Sequence, residues 1–169
     1  MAKAPEVLYD FQWHQSGKHI DLLRKFVKRK SINNVIDWYG LEEELAEHQK
    51  TAIEMFIRDG ALIPATINEA LGYLFPLEEI KGMLRDRKLD QTGSKKRLVQ
   101  KLILSDYTRM QDLVDKSNVM KCSPAGLDAI SYFDNIRELA VEQAKKDVFD
   151  ALILGDAKKA QYIYIESTN

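Results

Sequence analysis

Cysteine is almost absent from this chain of 169 residues, in which Cys122 is the single example. One cysteine excludes a disulfide within the chain and is typical of a protein from a reducing cytoplasm. The three histidines, His14, His19 and His48, lack metal-ligand spacing with one another and with Cys122. We therefore expect a buried or inert thiol, no metal site and no other cofactor.

Long apolar runs are missing as well. No stretch of about 18 apolar residues occurs, so a transmembrane helix is not expected. The N-terminal residues MAKAPEVLYDFQW do not contain the apolar core of a secretory signal peptide. Phosphate-loop, dinucleotide-binding and nucleophile-elbow motifs are also absent. These absences predict a cytoplasmic protein that is not an enzyme and does not bind a membrane.

Hydrophobic periodicity predicts an all-α, multi-helical fold. A helix is expected over residues 41–58, and Gly60 stops it because glycine adopts a left-handed conformation at low cost. The aromatic residues 6–13 are expected to dock on the body of the protein. A further helix is predicted over residues 18–30. Its apolar face carries Ile20, Leu23, Phe26 and Val27.

Start signals locate the next helices. Thr66 and Glu69 have the spacing of a capping box, which opens a short helix. Pro76 is expected in the first turn of the following helix, where its missing N–H would be unpaired anyway. Ser123-Pro124 then opens a long amphipathic helix that runs to about residue 154. The tail YIYIES fits either a last helical turn or a short strand.

Charge is segregated along a chain whose net charge is −1. Residues 18–30 carry six cations and one anion, and residues 76–105 carry eight cations and four anions. Segregated charge can produce a local anion-binding surface on a near-neutral protein. For residues 18–30, a solvated helix face is the favoured interpretation.

Residues 76–102, PLEEIKGMLRDRKLDQTGSKKRLVQKL, contain two short amphipathic patterns around a glycine-containing loop. The segment resembles the SAP family, a helix–extended loop–helix module found mainly in DNA-binding proteins. The resemblance implies three regions: helical residues 1–75, a SAP-like module at 76–104, and helical residues 105–169. The matching residues are Leu84, Arg87, Leu89, Gly93, Lys95, Leu98, Val99 and Leu102.

The region around the module is also similar to segments of bacterial and prophage-encoded proteins, through the run IRDGALIPATINEALGYLFPLEEIKGML. This similarity implies a bacterial cytoplasmic setting. Two positions depart from the SAP pattern: Gly82 lies in the middle of the first helix, and Phe75 lies where a Ser or Thr cap is usual.

The cations of the SAP-like segment predict contact with phosphate groups. Several are spaced three or four residues apart, where like charges destabilise a helix by about 0.2–0.5 kcal/mol per pair, and a polyanion relieves that repulsion. Glycine and free N–H groups at the start of the second helix allow a phosphate to approach. The candidate nucleic-acid-binding residues are Lys81, Arg85, Arg87, Lys88, Gly93, Ser94, Lys95, Lys96, Arg97 and Lys101.

Binding through phosphates is salt-dependent and weakly sequence-selective. We therefore expect double-stranded DNA as the partner, with RNA as a variant, and a protein associated with the nucleoid. The alternative function is an adaptor whose SAP-like unit docks a protein. A homodimer is a further hypothesis, since the long helix has an apolar stripe. The stripe comprises Ile130, Phe133, Ala140, Ala144 and Val148.

Overall fold

The computed structural model describes residues 13–36 and 43–168, with side chains in the second range described from 48 to 167. The helices are α1 Gly17–Arg24, α2 Ile32–Ile36, α3 Glu43–Arg58, α4 Ile67–Leu74, α5 Leu77–Asp86, α6 Lys95–Ser105, α7 Tyr107–Asp115, α8 Pro124–Ile153 and α9 Ala157–Thr168. The strands are β1 Lys30–Ser31, β2 Leu62–Pro64 and β3 Val119–Cys122. The predominantly all-α, multi-helical prediction is confirmed. Within the described ranges, no helix combines the length and apolar character needed to cross a membrane.

A small antiparallel sheet, which the sequence did not predict, joins two cores. Its strand order is β1-β3-β2, so β3 lies in the centre. Successive side chains of a strand point to opposite faces. Met120 and Cys122 accordingly join one buried cluster, whereas Val119 joins the other.

The first core packs α1, α2, α3 and the start of α8 against one face of the sheet. Trp13 is buried there, and its indole N–H donates to Asp59 Oδ2 at 2.9 Å. The predicted docking of residues 6–13 is thus confirmed for Trp13, and residues 6–12 lie outside the described residues. Cys122 is buried, and burial raises the pKa of its thiol to about 11, which confirms the expected buried thiol.

Helix α1 ends at Arg24, so the prediction of a helix through residue 30 is wrong. The chain turns after α1 so that Lys30 can pair with Met120 in the sheet. Phe26 stays in the core, and its carbonyl accepts a hydrogen bond from Cys122 N at 2.9 Å. Val27, predicted on the apolar face, is 50% exposed because it no longer belongs to the helix.

The second core surrounds the SAP-like helices and extends from Ala65 to Val119, beyond both predicted bounds of the module. Helix α4 packs on α6 and α7, which enlarges the thin core of so small a unit. The apolar spacing of the first SAP-like helix predicts that Leu77, Ile80 and Leu84 are buried. Leu77 is instead 37% exposed at the start of α5. The confirmed core positions are Ile80, Leu84, Leu98, Val99 and Leu102, with Leu89 packed against them.

Most predicted helix signals are confirmed. Thr66 and Glu69 form the capping box, and Ser123 Oγ accepts from Gly126 N at 3.1 Å at the start of α8. Gly60 has a φ of +72° after α3. Pro76 is the cap residue of α5 rather than a residue of its first turn, and it makes no side-chain cap bond.

The described chain covers only part of the predicted stripe of the long helix α8. Ile130 is buried and Phe133 is half-buried against the first core, so the interpretation that these two residues face another copy is wrong. Ala144 and Val148 are half-buried and Ala140 is exposed, and the homodimer stays a prediction. A turn at Gly155, with a φ of +76°, brings α9 back onto α8. This packing buries Ala151 of α8 and Ala160 of α9. The tail is therefore helical, and the strand alternative is wrong.

Candidate nucleic-acid interface

The first SAP-like helix, α5, ends in a hydrogen-bonded reversal. Leu89 N donates to Leu84 O at 2.9 Å, and Lys88 N donates to Arg85 O at 2.8 Å. These two hydrogen bonds form a Schellman motif, which requires a residue in the left-handed conformation after the helix. Lys88 fills that position with a φ of 56°, although glycine is usual there. The motif turns the chain into the loop and leaves the Lys88 side chain exposed.

The loop between α5 and α6 is organised by one carboxylate. Asp90 Oδ1 accepts from Thr92 N at 3.0 Å and from Thr92 Oγ1 at 2.8 Å. Lys101 Nζ, from α6, donates to Asp90 Oδ2 at 2.5 Å and to Thr92 O at 3.0 Å. These bonds hold the pKa of Asp90 well below its usual range. Lys101 is therefore engaged in holding the loop, which differs from the outward, phosphate-binding role predicted for it.

Gly93 has the backbone conformation that the sequence predicted for a glycine. Its φ is +125°, in a region that other residues rarely adopt. A Cβ atom at this position would lie 3.2 Å from Arg97 Cδ. Gly93 thus lets the chain change direction from the loop to α6, and it leaves room for the aliphatic part of the Arg97 side chain, which packs beside it.

The start of α6 combines positive charge with the positive end of a helix. Ser94 is the cap residue, and its Oγ accepts from Arg97 N at 3.4 Å. Lys95, Lys96 and Arg97 follow in the first turn, which contains no acidic residue. By contrast, the first turn of α5 carries acidic residues at Glu78 and Glu79. Acidic side chains stabilise a helix N-terminus and cations do not, so the first turn of α6 is unfavourable on its own.

Two more predicted cations have partners within the chain. Arg87 donates to Met83 O at 2.9 Å and lies 3.6 Å from Asp106 Oδ2, which ties α5 to the start of α7. Lys81 Nζ bonds Glu78 Oε1 at 2.9 Å on the surface of α5. The Arg87 contacts are structural, whereas an exposed pair such as Lys81–Glu78 stabilises a protein very little.

The remaining five cations are termed the loop surface here. They flank the loop, at the end of α5, in the reversal and in the first turn of α6. Within the described residues none of them forms an ion pair, and all are exposed except the half-buried Lys95. The loop surface comprises Arg85, Lys88, Lys95, Lys96 and Arg97.

The structure also brings together charges that sequence reasoning did not connect. Lys121 of β3 and Arg29 of the loop before β1 both contact Glu69 of α4. The basic run at 28–30 was the only sequence signal for this cluster, and it was interpreted as a solvated helix face. Among the described residues, no group of three or more His, Cys, Asp or Glu side chains could hold a metal ion.

No protein-family model matches the chain, and no curated protein or solved structure matches it either. The SAP resemblance therefore stays a prediction, and the function has to be argued from the geometry of this chain.

Proposed function

We propose that the protein binds double-stranded DNA without enzymatic activity, through phosphate contacts of the loop surface, in a bacterial cytoplasm. One observation carries the proposal: the first turn of α6 holds three cations and no acid at the positive end of a helix. A bound phosphate would supply the negative charge that this turn lacks.

In the free protein the charge of this helix turn is unfavourable. A side-chain charge near a helix end changes stability by about 0.3–1 kcal/mol, and here the sign is unfavourable for Lys95, Lys96 and Arg97. No described carboxylate compensates them, because Asp90 is bonded to Lys101. A polyanion converts this repulsion into attraction and releases counterions, which favours binding at low salt.

The loop is held in place before any ligand binds. The middle of the loop is held by the hydrogen bonds among Asp90, Thr92 and Lys101. The contact of Arg87 with Met83 O holds the start of the loop, and the left-handed conformation of Gly93 turns the chain into α6. A preorganised surface loses less conformational entropy on binding than a disordered one. The partnered residues therefore support the loop surface, and the unpartnered cations contact the phosphates.

The contacts predict weak sequence selectivity. Phosphate contacts position a protein on a duplex, whereas base-edge contacts specify the sequence. Gln91 and Gln100 are the amide side chains within the module's basic segment, and neither is part of the loop surface. RNA duplexes present the same phosphate chemistry, so RNA stays the variant partner.

The test is a titration of a duplex DNA against the protein at several salt concentrations. Lys95→Ala combined with Arg97→Ala should weaken binding to all sequences alike and lower the salt slope by up to about 2 units. Lys158→Ala combined with Lys159→Ala removes the same charge from exposed positions of α9 and should change binding little. Unchanged binding by a folded Lys95/Arg97 double variant would remove the loop surface from the interaction.

The adaptor alternative has a specific observation in its favour. Leu104, near the end of α6, is 87% exposed, and the neighbouring Tyr107 is 59% exposed. Apolar side chains of this size in the SAP-like unit could contact a protein partner. Leu104→Ser should then abolish binding of that partner while leaving duplex binding intact, and the Lys95/Arg97 double variant should do the reverse.

A further inference from the structure

We propose that a second basic region, separate from the loop surface, is a binding site for a phosphate group attached to a ring-containing body, as in a nucleotide. The site is a cleft of about 610 Å³. Clefts of about 300–1,000 Å³ are typical of small-molecule sites. The cleft is lined by Val27, Lys28, Arg29, Lys30, Glu69, Gly72, Tyr73 and Lys121.

Three elements distant in sequence bring the charges of the cleft together. Lys121 Nζ of β3 contacts both carboxylate oxygens of Glu69, at 2.9 and 2.8 Å, and Arg29 Nη1 lies 3.7 Å from Oε1. Glu69 is itself held by Thr66, whose N and Oγ1 donate to Oε2 at 3.0 and 2.9 Å. The carboxylate thus orients two cations that come from different elements.

Positive charge exceeds negative charge among the lining residues. Lys28, Arg29, Lys30 and Lys121 contribute four cations, and Glu69 contributes one anion, which leaves three positive charges in excess. Lys28 is exposed and has no ion partner in the described part of the chain. Arginine and lysine around a concave site are the usual recognition groups for phosphate.

Gly72 leaves one wall of the cleft without a side chain. It lies inside α4, where glycine forms a helix less well than alanine. Apart from its chain neighbours and the nearby backbone of α4, no atom of the described residues lies within 4 Å of the position that its Cβ would occupy, and its φ is not in the left-handed region. A glycine with open space beside it leaves a smooth wall that a ligand can approach.

Two apolar side chains of the cleft, Tyr73 and Val27, indicate what kind of group the phosphate is attached to. Tyr73 is half-buried, and its hydroxyl accepts from Asn34 Nδ2 at 3.1 Å, which fixes the ring. Val27, which also lines the cleft, is half-exposed. An aromatic ring and an aliphatic side chain beside a phosphate-binding group suit a base or another planar ring. That phosphate can belong to a free nucleotide or to the end of a nucleic acid.

The test measures binding of adenosine 5′-monophosphate, adenosine, pyrophosphate and a 5′-phosphorylated duplex by titration calorimetry with the full chain. Lys28→Gln combined with Arg29→Gln should weaken binding of the monophosphate by about tenfold. Lys158→Gln combined with Lys159→Gln, on α9, is the matched charge control. The Lys95→Ala/Arg97→Ala variant should keep monophosphate binding, which separates this site from the proposed DNA surface.

Two substitutions of Gly72 provide a readout that a structural role would not give. Gly72→Ala should raise the unfolding temperature, and Gly72→Leu should fill the cleft and weaken monophosphate binding at least about fivefold without unfolding the protein. Stronger binding of the monophosphate than of the 5′-phosphorylated duplex assigns a free nucleotide, and the reverse assigns a nucleic-acid end. Equal binding of adenosine and its monophosphate, no saturable binding by any probe, or unchanged binding by Gly72→Leu would overturn the proposal.

Discussion

The loop surface and the cleft have similar numbers of cations, but their carboxylates lie in different places. In the cleft, Glu69 is 28% exposed and stands between Arg29 and Lys121. Beside the loop surface, Asp90 is 60% exposed and bonds Lys101, which is outside that surface. Two cations of the cleft are therefore engaged with a carboxylate, whereas those of the loop surface have no ion partner among the described residues.

Charge counts along a sequence do not show which cations are engaged within the fold. Residues 18–30 and 76–105 are both basic in sequence. The tertiary positions of single carboxylates then decide which cations are engaged and which stay available. Each prediction below alters one region and leaves the other as its control.

The largest effect is expected from Gly93→Val. A β-branched residue at a φ of +125° is strained and would press on Arg97, so the free energy of unfolding should fall by about 2–3 kcal/mol. Chemical denaturation measures the change, and duplex affinity should fall with it. Gly82→Ala is the matched control, because this helical glycine has room for a methyl group and should gain stability. Wild-type stability in Gly93→Val would contradict the role given to the backbone here.

Glu69→Gln should have the next largest effect and should act on the cleft alone. Hydrogen bonds from Lys121 and Thr66 lower the pKa of Glu69 to about 2 in the folded protein. A carboxylate with a depressed pKa stabilises the fold above its ordinary value of 4.5, and this contribution is lost as the pH falls toward about 2. At pH 7 the variant should lose about 1–2 kcal/mol of stability.

Denaturation at several pH values checks this prediction. The stability difference between Glu69→Gln and wild type should disappear as the pH approaches about 2. Glu54→Gln, on an exposed position of α3, is the matched control variant. Duplex binding by Glu69→Gln should match wild type, and a loss of duplex binding would mean that the two regions are not independent.

Lys88→Gly should change the stability of the protein and its affinity for a duplex in opposite directions. Lysine in the left-handed conformation costs about 1 kcal/mol, and glycine removes that cost. The variant should therefore be more stable than wild type by thermal denaturation and yet bind a duplex more weakly. Lys116→Gly is the control, since Lys116 has a φ of −74° and glycine should destabilise it. If the variant is more stable but binds the duplex as tightly as wild type, Lys88 does not contact the duplex.

The smallest effect is expected from Asp90→Asn. Asparagine keeps the local turn, but the loss of charge releases Lys101 toward solvent. Duplex affinity at low salt should rise by about two- to threefold, with a steeper salt slope. Asp86→Asn removes the same charge from the end of α5 without releasing a lysine, and should have less effect. Weaker duplex binding by Asp90→Asn would show that the loop geometry matters more than the free charge.

Local signals were the part of the fold that sequence reasoning predicted well. The capping box at Thr66, the start at Ser123-Pro124 and the stop at Gly60 depend on neighbouring residues, and all three are confirmed. A backbone role for Gly93, through glycine torsions or a close phosphate approach, was also predicted, and its φ of +125° fits the first alternative. Periodicity was a weaker guide to burial, since Val27 lies on the predicted apolar face and is 50% exposed.

What the sequence determined by itself was the helical architecture and the concentration of cations around one loop, because capping, periodicity and charge runs act over a few residues. Only the tertiary structure decided that residues 30–31, 62–64 and 119–122 form a sheet, since strands this short exist only when distant segments pair. It also decided that Lys101 binds Asp90 and that Lys121 binds Glu69. Ion pairs between separate elements depend on how the helices pack, and no spacing within the chain encodes them.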